Sequence, residues 1–75
     1  VKARQLTHPI HFYTAQMENA LVLVFQDREL IGTGRIDAFE PAVTHDDLTY
    51  GIVTVRGETY VREHCTFEIA EAIPL

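Results

Sequence analysis

Apolar positions along this chain fall into short runs separated by turn-forming residues. In residues 8–20, HPIHFYTAQMENA, Ile10, Tyr13, Met17 and Ala20 recur at three- and four-residue steps, which predicts an amphipathic helix. Thr7 is placed to cap it, and Pro9 is tolerated in its first turn. An extended IHFYT segment is the competing reading. Residues 1–7 read as a polar lead-in. Residues 21–26, LVLVFQ, are a compact run of β-formers, the pattern of a strand buried on both faces.

Asp27-Arg28 predicts a tight turn. Residues 29–39 resume extended structure, with Gly32 and Gly34 inside it; glycine within a strand marks a sharp bend or a close backbone approach. Residues 40–47 read as a break, since Pro41 and the His45-Asp46-Asp47 cluster fit poorly in a central strand. Residues 48–56 form a third strand and Arg56-Gly57-Glu58 a turn. In residues 59–69, Val61, Cys65, Phe67 and Ile69 alternate with Arg62, His64, Thr66 and Glu68. That stretch is one long strand or two strands bent near His64. Residues 70–75 read as a tail. The expected fold is all-β in the main: about five strongly bent antiparallel strands curled into a small barrel, with the N-terminal helix over one open end. The whole of 1–75 is expected to be one domain, its barrel spanning 21–69.

Composition narrows the function. The chain has 75 residues, 47% of them hydrophobic, which is globular and not disordered. A core this small gains from pairing edges with further copies, so a homo-oligomer is expected. The strands 48–56 and 59–69 are its expected edges. One cysteine, Cys65, cannot staple the chain internally, and a reducing, cytoplasmic setting is the simplest expectation. No apolar run has the length of a membrane span. The net charge is −5, with a single lysine, so a duplex-DNA partner is not expected. An arginine-lined pocket, or a basic protein partner, fits better.

No catalytic group assembles from the pattern. The chain has no serine, and Cys65 falls on the apolar face of its strand, away from His64, where an inert thiol is the ordinary outcome. His8 and His11 share a helix face but read as helix-start residues, and His45 as a turn residue. No metal is expected, because structural sites need about four converging ligands near 2.3 Å. No cofactor is expected. The carboxylates Glu58, Glu63 and Glu68 read as a solvated face along an edge strand.

The stretch LVLVFQDRELIGTGRIDAF followed by VTVRGETYV resembles the Sm-like family of bent five-stranded barrels, over roughly residues 10–62. Asp27 matches that family's acidic turn, Gly32 its bent-strand glycine, Asp37-Ala38-Phe39 its Asp-x-aromatic step, and Val55-Arg56-Gly57 its Arg-Gly loop. A second register puts Gly34, Phe39-Glu40 and Val43-Thr44 on the first motif. Glu40-Pro41 stand where the family has Met-Asn, so the base-bonding Asn has no counterpart. The resemblance implies a non-enzymatic module binding single-stranded RNA. In it Phe39 stacks on a base, Arg56 and Gly57 complete the pocket, and Asp37 orients Arg56. The runner-up, favoured by the −5 charge and the missing Asn, is an acidic adaptor or inhibitor acting on an RNA-handling or other basic protein through Glu58, Glu63 and Glu68. A small structural barrel of a phage or mobile element is a third reading.

Overall fold

The computed structural model describes the backbone of residues 2–71 and the side chains of residues 4–70. The elements in chain order are β1 (Lys2–Leu6), α1 (Pro9–Met17), β2 (Val22–Gln26), β3 (Glu29–Gly34), β4 (Ile36–His45), β5 (Leu48–Val55), β6 (Glu58–Val61), a 3-10 turn (Arg62–His64) and β7 (Thr66–Glu71). The chain is mainly β with one short helix, as the pattern predicts. The strands form two antiparallel sheets, in the orders β1-β7-β2-β3 and β4-β5-β6. Among the described residues no ladder closes the two sheets into a barrel. Residues 72–75 of the expected tail lie outside the described residues.

Three hairpins use two-residue turns in which both residues have positive φ: Asp27-Arg28 (51°, 69°), Asp46-Asp47 (51°, 66°) and Arg56-Gly57 (53°, 82°). Turns of that hand match the twist of the flanking strands, and aspartate tolerates the left-handed region better than most residues. The first and third turns stand where the sequence puts them. The second replaces the expected break. β4 runs straight through Pro41 to His45, with its register against β5 slipping between Glu40 and Val43. β4 is an edge strand, so a proline at a bulge there removes no necessary ladder bond.

Three further expectations are corrected. The lead-in is a strand: β1 pairs with β7 from Lys2↔Glu71 to Leu6↔Phe67. Among the described side chains of β1 only Leu6 is buried, at 5% exposure, so periodicity does not reveal the strand. Consequently β7 is not an edge, and neither is β5; the edges are β1, β3, β4 and β6. The strand at 21–26 is not buried on both faces either. Val22 and Val24 are buried, while Leu23 and Phe25 are half-buried. The 59–69 stretch divides, the 3-10 turn falling at His64.

The helix forms, but it faces the other way. Phe12 and Ala15 are fully buried, whereas Ile10, Tyr13 and Met17 are 64%, 40% and 87% exposed. A nine-residue helix laid over the end of two sheets presents only a narrow face, and Phe12, a large ring with no polar atom to desolvate, takes it. Phe12 stacks on Phe39 with centroids 4.8 Å apart and meets the edge of Phe67 at 5.3 Å. Thr7 is not the cap; the Nδ1 atom of His11 accepts the Thr7 and His8 backbone N–H groups at 3.0 and 3.2 Å. Arg62 ties the N-terminal segment down, donating to the Thr7 carbonyl at 2.8 Å with its guanidinium 5.5 Å from the Phe12 ring centre.

Candidate nucleic-acid interface

β3 ends and β4 begins around Gly34-Arg35, so the expected bend lies at Gly34, the glycine of the second motif register. Gly34 has φ +154°, and a Cβ there would stand 3.0 Å from the Arg56 Cβ. Gly32 serves a different need, since a Cβ on it would run into the Tyr60 hydroxyl. Past the bend, Ile36 opposes Val55 on the β4–β5 ladder. Arg35 therefore faces Arg56, whose N–H donates to the Arg35 carbonyl at 3.4 Å. The backbone thus brings together two of the six basic residues of this chain.

A register shift between Ile36 and Ala38 makes Asp37 a bulge residue. Bulges change the parity of a strand and re-aim side chains. Two effects follow. The Asp37 carboxylate accepts the Gly57 N–H at 2.8 Å, so it holds the backbone of the Arg-Gly turn and not, as expected, the arginine side chain. Phe39 is turned inward, onto the same side as Ile36. It is 8% exposed, with Phe12 stacked on it and the Tyr13 ring edge-on at 5.1 Å. The expectation that Phe39 lies outside the core is thereby corrected. Of the expected RNA-binding set, Asp37, Arg56 and Gly57 are brought together at the surface, and Phe39 lies beneath.

α1 runs along β4 in a regular register. Tyr13 meets Phe39, Gln16 donates to the Asp37 carbonyl at 3.1 Å, and Arg35 donates from Nε to the Asn19 carbonyl at 3.1 Å. Three helix residues match two strand residues at each step. The seam from Tyr13 to Asn19 is thus about 9 Å along the helix, and about 13 Å from Phe39 to Arg35 along the strand. It carries an exposed aromatic ring, a side-chain amide and two arginines. The Arg56 guanidinium has no hydrogen bond or ion pair with any described residue. Tyr13 and Arg35 are the residues that the sequence reading missed. The helical stripe signalled Tyr13 but assigned it to the core, and Arg35 had no signal beyond its charge.

The carboxylates of the alternative do not share a face. Glu58 is exposed at the start of β6, Glu63 sits in the 3-10 turn and accepts the Gly51 N–H at 3.0 Å, and Glu68 is half-buried on β7 in the other sheet. The 3-10 turn separates them by carrying the chain from one sheet to the other. Among the described residues no three His, Cys, Asp or Glu side chains are grouped to hold a metal ion, and no helix is long and apolar enough to cross a membrane.

Cys65 is half-buried against the core, at the edge of an open groove of about 310 Å³ that Leu6, Phe12 and Phe67 also line. Desolvation by burial pushes its thiol above the ordinary value. A raised folded value stabilises the fold below the unfolded pKa, and this contribution is lost as pH rises through the folded one. Alkylation by iodoacetamide should therefore reach half its maximal rate at higher pH in the folded chain than in urea. Equal midpoints would show that the thiol is solvated. Comparison with protein-family models, with curated proteins and with solved structures returned no match.

Proposed function

We propose that this chain is a non-enzymatic, Sm-like module that binds single-stranded RNA as a homo-oligomer, along the seam of α1 and β4. The observation that carries the reading is the placement of Arg35 opposite Arg56, beside the exposed Tyr13, on a chain of net charge −5. Two arginines adjacent in the backbone, on a chain otherwise poor in cations, favour an anionic ligand, and an aromatic ring along the same seam favours one with bases to stack. The order of helix, strand, bent strand, hairpins, 3-10 turn and last strand supports the Sm-like comparison, and Asp37 bound to the Arg-Gly turn fits its two motifs. With Phe39 buried, the stacking role passes to Tyr13. The missing Asn fits loose base preference, since stacking is sequence-tolerant.

The test is fluorescence anisotropy with oligouridine and oligoadenine strands over a salt series. Tyr13→Ala should weaken binding by about 1–3 kcal/mol. Arg56→Ala should lower the slope of log K against log salt by about 0.7, the single-strand value for one phosphate contact. An unchanged slope in Arg56→Ala, or an unchanged affinity in Tyr13→Ala, would remove the reading.

A protein-binding adaptor is the second reading, and the exposed stripe of Ile10, Tyr13 and Met17 favours it. On that reading the wild-type chain ignores both strands in the same titration, and Met17→Asp, not Arg56→Ala, abolishes capture of the basic partner.

A further inference from the structure

β6 covers β5 only from Ile52 to Val55. Beyond that point β4 and β5 continue as a two-stranded arm, residues 41–50, which adds about 17 Å to the molecule and ends in Asp46-Asp47. Every arm residue is exposed except the half-buried pair Val43 and Tyr50. Leu48 is 68% exposed. It shares one arm face with Tyr50 and, with Val61 and His64, lines an open groove of about 320 Å³. A two-stranded ribbon with no core beneath it is marginal in water, so this arm has the form of an element completed by a partner.

The partner's chemistry is legible at the other end of the same ladder. The arm tip offers two carboxylates and an exposed leucine. The opposite end offers Arg35 and Arg56, flanked by Leu21, since Val22 opposes Gly34 and Leu21 precedes it. Leu21 is 43% exposed. The end of α1, which carries the exposed Met17, is held to the same place by the Asn19–Arg35 bond. Both ends thus expose apolar side chains, and the acidic tip, where Asp46 also lies 3.3 Å from His45 Nε2, complements the two arginines of the other end. We infer that the arm of one copy docks on the arginine end of a second copy, head to tail, with Asp46 and Asp47 against Arg35 and Arg56 and Leu48 against Leu21 and Met17. Such a contact is heterologous, and it leaves a free arm and a free arginine end on every dimer, so it propagates into a ring or a filament. It shares Arg56 with the RNA surface but does not rest on RNA binding.

Sedimentation velocity without RNA, from micromolar to near-millimolar protein, tests it with two variants. Asp46→Asn with Asp47→Asn removes the charge of the arm, and asparagine keeps the positive φ of both turn residues. Arg56→Glu disables the arginine end and disturbs no side-chain bond. The wild-type chain should self-associate with rising concentration, and each variant alone should sediment as a monomer. An equimolar mixture of the two variants should form a 1:1 dimer that grows no further, because it contains one intact arm and one intact arginine end. That dimer also shows that both variants fold. The inference is overturned by a wild-type chain that stays monomeric, by variants that associate as the wild type does, or by a mixture that stays monomeric, the mark of a two-fold contact or of an arm reserved for another protein. It is overturned too if the arm variant associates normally while Arg56→Glu loses only RNA binding.

Discussion

Phe39→Ala should cost about 3–5 kcal/mol of folding stability, the range for emptying a buried phenylalanine site. The ring is 8% exposed, stacked on Phe12 and met edge-on by Tyr13. Removing it leaves a void under α1, and α1 is held over the sheets chiefly by Phe12 and Ala15. A chain of this size has about 4–11 kcal/mol of stability in total, so the loss takes a large share of it. Chemical denaturation should show a lowered midpoint with an unchanged slope. Phe39→Leu, which refills most of the volume, should recover much of the loss and leave RNA affinity near that of the wild type. Full stability in Phe39→Ala, together with selective loss of RNA binding, would restore the stacking role expected from the motif.

Gly34→Ala has the second largest expected effect, about 2–4 kcal/mol. Two costs add at this position. The backbone there has φ +154°, which alanine adopts only under strain, and the new methyl group would press on the Arg56 Cβ from 3.0 Å. The Arg56 Cβ belongs to a turn residue itself at φ 53° and is bounded by the Asp37–Gly57 bond, so it has little room to retreat. Gly57→Ala is the internal control. Its φ is +82° and no atom lies within 4 Å of the added Cβ, so it carries the backbone cost alone, about 1 kcal/mol. Equal losses in the two variants, measured by thermal or denaturant unfolding, would show that Arg56 does not pack across the bend.

Much local chemistry was legible, though not the Asp46-Asp47 turn, which read as a break, nor the start of α1, where His11 and not Thr7 takes the free N–H groups. Asp27-Arg28 and Arg56-Gly57 announce turns by composition, the run of residues 21–26 announces a strand, and Arg62–His64 falls where the alternation of residues 59–69 allows a bend. The resemblance also put Asp37 beside the Arg56-Gly57 turn, but with the carboxylate on the arginine; the bulge that aims it at the Gly57 N–H depends on β5 and was not readable.

What the sequence by itself determined is the set of elements: a short helix, β-forming runs with glycines at the bend, and tight turns between them. Those follow from backbone preferences and side-chain periodicity, which are properties of neighbours along the chain. Only the tertiary structure decided which faces are inside. A bulge at Asp37 reversed the parity of β4 and sent Phe39 into the core. The competition among Ile10, Phe12, Tyr13 and Met17 for one narrow contact was won by Phe12, because Phe39 and Phe67 converge on it from two other strands. β1 exists because β7 offered an edge sixty residues away, and Arg35 faces Arg56 because a hairpin folds them together. Each of these depends on a partner distant in sequence, and no local pattern of apolar and polar residues records that partner.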